Sequence, residues 1–78
     1  LERKIKPKQK WIHYKNPTHE YEIIGIAKHS ETLEEMVIYK ALYLGEFAYG
    51  QLWARPKREF LGKVEKEGKI VDRFKLKN

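Results

Sequence analysis

Residues 27–43, AKHSETLEEMVIYKALY, decide how this chain folds. The stretch starts with a polar cluster, His29-Ser30-Glu31-Thr32-Leu33-Glu34-Glu35, and ends in an apolar run with two tyrosines. Read as a helix over 33–43, it would begin with Glu34-Glu35 in the first turn and give an α+β roll. Read as a strand over 36–43, it sets Val37, Tyr39, Ala41 and Tyr43 on one face by period two. Val37, Ile38 and the tyrosines suit a pleated surface. The flanks are short and rich in turn residues, so the strand is the expectation.

N-terminal to this stretch, 20–28 (EYEIIGIAK) reads as a strand with a glycine inside it. Gly25 there signals a bulge or sharp bend. Uninterrupted alternation would place Tyr21, Ile23, Gly25, Ala27 and His29 on one face, and Glu22, Ile24, Ile26 and Lys28 on the other. Asn16-Pro17-Thr18 is turn chemistry, and 10–15 (KWIHYK) suits a first strand. Residues 1–9 carry Pro7 and many charges, and read as a flexible basic arm before a single domain over 10–78. C-terminal to the stretch, 44–50 reads as a loop with two glycines. A short strand at 51–55 should end at Pro56, and 56–62 as one helical turn that points Phe60 inward. Residues 63–76 form two alternating runs around Lys66-Glu67-Gly68-Lys69, a hairpin in which Gly68 supplies positive φ. The total is a mainly β fold, a small SH3-like, partly open barrel of five or six short strands with one helical turn.

The bulk numbers bound the function. The chain has 78 residues, enough for one domain with a modest core. With no cysteine, disulfides, thiolate metal sites and a cysteine nucleophile are excluded, and the expected location is cytoplasmic. No apolar run reaches the length of a membrane span, so no membrane partner is expected. The N-terminus is basic, but no apolar stretch follows to make a signal peptide; the chain begins without Met, as a piece of a longer or processed protein would. The net charge of +6 is uneven: +4 lies in residues 1–10 and +3 in 63–78, around a body of −1. A basic protein invites nucleic acid, whereas charge gathered at the ends equally describes solvated tails.

His13-Tyr14-Lys15, the run Tyr21 to Ala27, His29-Ser30-Glu31-Thr32 with Glu34, Val37-Ile38-Tyr39, and Leu52-Trp53-Ala54-Arg55-Pro56 with Phe60 together resemble a small prokaryotic family, domain-of-unknown-function family 1653. The resemblance covers 11–76, and the HSET and W-x-R-P stretches are its most specific pieces. Members often carry Gly where this chain has Asn16 or Pro17. The resemblance implies a shared fold and a shared site that includes these polar positions, with no reaction assigned.

Two clusters are candidate sites. His29, Ser30, Glu31, Thr32 and Glu34 offer an imidazole, hydroxyls and carboxylates that could orient a ligand or move a proton. The competing structural reading makes Thr32 and Glu35 a capping box. Trp53 and Arg55 share a strand face, a guanidinium beside an indole that suits a ring or an anion. The competing reading buries Trp53 and pairs Arg55 with Glu31 or Glu34. Tyr49 is the aromatic expected to be exposed. His13, His19, His29, Glu31 and Glu34 show no metal-site spacing such as HExxH, so neither a metal nor another cofactor is expected. The function expected is a non-enzymatic binding module for a small anionic or polar ligand, with His29, Ser30, Glu31, Thr32, Glu34, Tyr39, Trp53 and Arg55 at its site. One alternative is a single-stranded nucleic-acid module using aromatics and the basic ends. Another is a small hydrolase-like enzyme using His29 with Glu31 or Glu34.

Overall fold

The computed structural model of the chain describes residues 4–77. Seven strands and one short helix follow in order: β1 (Lys10–His13), β2 (Asn16–Lys28), β3 (Glu35–Ala41), β4 (Leu52–Pro56), α1 (Lys57–Phe60), β5 (Lys63–Lys66), β6 (Lys69–Asp72) and β7 (Phe74–Lys77). The fold is mainly β, and the deciding stretch is a strand. Along β3, Val37, Tyr39 and Ala41 are buried while the residues between them are not. Strands β4-β3-β2-β1-β7 form one antiparallel sheet, and β5-β6 form a separate hairpin. Among the described residues no ladder joins β4 to β7, so the sheet stays open.

Several boundaries differ from the sequence expectation. The first turn is Tyr14-Lys15, and Asn16-Pro17-Thr18 belongs to β2. Asn16 still makes the local bonds that favour turns, its Oδ1 accepting from the Thr18 N–H at 3.1 Å and the Thr18 hydroxyl at 2.7 Å. Those bonds shape a bulge instead, because the register jumps from Ile12↔Glu20 to His13↔Asn16. The expected bulge at Gly25 is present: Ile23 pairs with Tyr39, and Gly25 with Ile38. Ile24 is the extra residue, so the side-chain phase flips after it. Ile26, opposite Val37, therefore returns to the face of Ile23, where uninterrupted alternation had placed Gly25 and Ala27. Pro56 closes β4 from within, opposite Met36; β4 is an edge strand, where a missing N–H is tolerated. The hairpin expected over 63–76 ends at Asp72, and β7 leaves it to pair with β1, His13 opposite Phe74 and Trp11 opposite Leu76.

The core lies on one face of the large sheet. Trp11, Ile23, Val37, Tyr39 and Phe74 are buried there, and α1 lays the fully buried Phe60 across them. The Phe60 ring stacks on Phe74 at 4.1 Å and meets Trp11 and Tyr39 edge-on at 5.2 and 5.4 Å. The basic arm expected over 1–9 lies outside the described residues for 1–3. Over 4–9, Ile5 packs against the core, the Lys8 N–H donates to the Ile23 carbonyl at 2.9 Å, and the Gln9 Oε1 accepts from the Trp11 indole at 3.1 Å. No helix among the described residues is long and apolar enough to cross a membrane.

Candidate functional site

The HSET loop joins β2 to β3, and two of its side chains, His29 and Thr32, bond to its own backbone. The His29 N–H donates to the Glu34 carbonyl at 2.8 Å, and the Leu33 N–H to the His29 carbonyl at 2.9 Å. His29 Nδ1 accepts from the N–H groups of Glu31 and Thr32 at 3.1 and 3.3 Å, which leaves the ring proton of the neutral form on Nε2. Thr32 Oγ1 accepts from the Glu34 N–H at 3.2 Å. No helix follows, so Thr32 and Glu35 make no capping box. Ser30, Glu31 and Thr32 are exposed. Glu34 pairs with Arg58 at 3.0 Å.

A cavity of about 320 Å³ opens on the core face of the sheet, away from that loop. Three of the residues expected at a site, Tyr39, Trp53 and Arg55, line it. His29, Ser30, Glu31, Thr32 and Glu34 do not. Tyr39 and Trp53 are cross-strand partners, and Arg55 is opposite Val37, so the three project from one patch of β3 and β4. The other walls come from residues that sequence reading left out as site residues. His13, Tyr21 and Phe74 supply rings, and Lys15, Asn16 and His19 supply polar edges.

Arg55 is held in place without being used up. Its Nε donates to the Tyr39 hydroxyl at 3.3 Å, and one Nη lies 4.0 Å from the Glu59 carboxylate. The guanidinium carbon sits 5.7 Å from the centre of the Phe74 ring. The pairing with Glu31 or Glu34 considered from sequence is not made; Glu59 in α1, four residues on, takes that place. Trp53 is half-buried, packing against the core with one edge on the cavity. A guanidinium has five N–H donors, so Arg55 keeps donors for a ligand.

A chain of contacts links Asn16, His19, Tyr43 and Tyr21. Because Asn16 Oδ1 accepts twice, its Nδ2 is the donor to His19 Nε2 at 3.2 Å. His19 stacks on Tyr43 at 3.7 Å, and the Tyr43 and Tyr21 hydroxyls bond at 2.7 Å. Burial and that bond raise the Tyr21 phenol well above its usual range, so it stays protonated. His13 Nδ1 accepts from the Lys15 N–H at 3.1 Å, so the neutral ring carries its proton on Nε2. Burial, followed by the nearby charges of Arg55, Lys15 and Arg73, lowers the His13 pKa to about 4. Two basic side chains, Arg55 and the exposed Lys15, line the cavity, and among the described residues no carboxylate does. His13 and His19 reach the same cavity, but among the described residues no three His, Asp or Glu come together as a group that could hold a metal ion.

The signal for the missed residues was weak in the chain. His13 and Phe74 meet only because β7 pairs with β1, and His19 turns inward only because of the bulge at 17–19. Residues 9–76 match the model of a family described as protein of unknown function (DUF1653). No curated protein and no solved structure gives a significant match.

Proposed function

The chain belongs to the DUF1653 family, whose function is unknown, and we propose that it is a non-enzymatic module binding a small anionic ligand at Arg55. The observation that carries this reading is a guanidinium set in an aromatic-walled cavity that no carboxylate among the described residues lines. Such walls lower the local dielectric and strengthen a charge-assisted hydrogen bond. The bond to Tyr39 and the face of Phe74 fix the guanidinium before the ligand arrives, which lowers the ordering cost of binding. Lys15 adds a second positive charge at the rim, and the His13 Nε2–H adds a neutral donor. In this reading Tyr39, Trp53 and Arg55 meet the ligand, and the HSET loop serves as the β2–β3 connection.

The test is an NMR titration with inorganic phosphate and with acetate, following the Arg55 Nε–H, the Trp53 indole and the His13 ring. All three should shift together, and Arg55→Gln should weaken binding by about tenfold or more, the loss expected for a charge-assisted bond. Shifts confined to His29–Glu34 would overturn the reading and move the site to the HSET loop. The single-stranded nucleic-acid alternative would show instead as steeply salt-dependent shifts at the terminal lysines.

A further inference from the structure

β3 presents a methyl group in a row of large side chains. Ala41, 3% exposed, is paired with Tyr21 on β2, and its N–H donates to the Gln51 carbonyl at 2.9 Å. It lines a second hollow of about 250 Å³. Two ring pairs line this hollow, Phe47 with Trp53 and Tyr43 with His19. Each pair is braced by its own contact, Phe47 edge-on to Trp53 at 5.1 Å and His19 flat on Tyr43 at 3.7 Å. Trp53 and His19 also line the cavity that contains Arg55, so the two hollows adjoin at this pair. Their charges differ. Among the described residues, the first holds Arg55 and Lys15 and no acid, and the second holds Glu46 and no Lys or Arg.

We propose that the two hollows are one groove, and that its ligand is an amphipathic acid. Its carboxylate or phosphate sits at Arg55, and its aromatic or apolar body passes Trp53 to lie over Ala41. This rests on the anion site proposed above and adds to it the class of ligand. A second anionic group on the body would meet Glu46 without a neighbouring cation, so the groove selects one acidic end and disfavours a phosphodiester chain. The body gains from ring faces already ordered and from a floor kept open by the small side chain of Ala41.

The experiment compares three probes on the full chain by NMR: acetate, 3-phenylpropionate and 3-phenylpropanol. 3-Phenylpropionate should bind about tenfold or more tightly than acetate, the gain from burying a ring. It should shift the Ala41 methyl and the Phe47 amide together with the Arg55 Nε–H, while 3-phenylpropanol should shift only the first two. Ala41→Val should abolish the tenfold gain and leave acetate binding unchanged. Phe47 is 51% exposed, so Phe47→Ala tests the same wall without touching the core and should cost threefold or more, roughly. If acetate shifts Arg55 but 3-phenylpropionate binds no tighter, the groove is overturned and the anion site stands. If acetate fails to shift Arg55, the anion site falls and the groove with it.

Discussion

His13 shows how one side chain ties the candidate site to stability. Its ring packs edge-on against Phe74 at 4.9 Å, and its Nδ1 accepts from the Lys15 N–H. Burial first, then Arg55, Lys15 and Arg73, hold its pKa at about 4 against an ordinary 6.5. The unfolded chain therefore binds a proton between these values that the folded chain refuses, and stability rises with pH across that window. The contribution is complete above about pH 6.5 and lost as pH falls towards 4. For a half-buried ring, solvent screening reduces it to about 1–2 kcal/mol. His13→Asn keeps an acceptor for the Lys15 N–H but does not titrate. Urea unfolding at pH 7 and pH 5 should show the wild type losing more stability than the variant; equal losses would remove His13 as the cause. Arg55 stood out in the sequence as a candidate because a guanidinium beside a tryptophan suits a ring or an anion. His13 was not, because a histidine in a strand acquires its role only from the strand placed next to it.

Gly68 and Glu67 carry the same reasoning to an element. The β5–β6 hairpin closes with two residues between the paired Lys66 and Lys69, and both have positive φ, 53° at Glu67 and 79° at Gly68. That is the type I′ pattern, whose twist matches the flanking strands and which favours Asn-Gly. A Cβ at Gly68 would meet no atom within 4 Å, so Gly68→Ala costs only the backbone penalty, about 1 kcal/mol. Glu67→Asn should stabilise by about 0.5 kcal/mol, because Asn tolerates the left-handed region better. Chemical denaturation of the two variants checks both signs, and stabilisation by Gly68→Ala would contradict the turn assignment. This hairpin, β3 and the Gly25 bulge were legible because each is set by local residue types and period. The bulge at 17–19 was not. Asn16-Pro17-Thr18 has the chemistry of a tight turn, and only the pairing of β1 with β2 decides that the chain turns two residues earlier. The two site candidates divided in the same way. In the HSET loop His29 and Thr32 bond to the loop's own backbone and Glu34 pairs with Arg58, whereas Arg55 lines a cavity.

Over the whole molecule, a small set of rings holds an open sheet together. The large sheet leaves both β4 and β7 as edges, and β7 is blunted by Lys75 and Lys77, with Lys77 paired to Glu20 across β1. Lys63 pairs with Asp72 at 2.8 Å, so part of the basic C-terminal charge is neutralised locally and is not a free phosphate-binding surface. What closes the core is α1. Four residues cannot form a stable helix alone; this one persists by delivering Phe60, which is fully buried, against Phe74, Trp11 and Tyr39. Small domains have total stabilities of about 5 kcal/mol at the low end. Truncating a buried phenylalanine costs about 3–5 kcal/mol, from lost transfer energy and the cavity left behind. Phe60→Ala should therefore leave the domain largely unfolded at 37 °C, with collapsed amide dispersion in its NMR spectrum. Phe47→Ala, which removes a ring of the same size from the surface loop, should shift the unfolding midpoint little. The pair separates a core role from loss of a ring as such. If Phe60→Ala keeps a dispersed spectrum and loses less than about 1 kcal/mol, the sheet is held by its ladders alone and α1 is an ornament on it. If the loss is as large as expected, the cavity at Arg55 depends on Phe60 as well. Phe60 stacks on Phe74, and Phe74 forms one wall of that cavity and faces the guanidinium, so loosening the core ring frees the cation that the proposed function needs fixed.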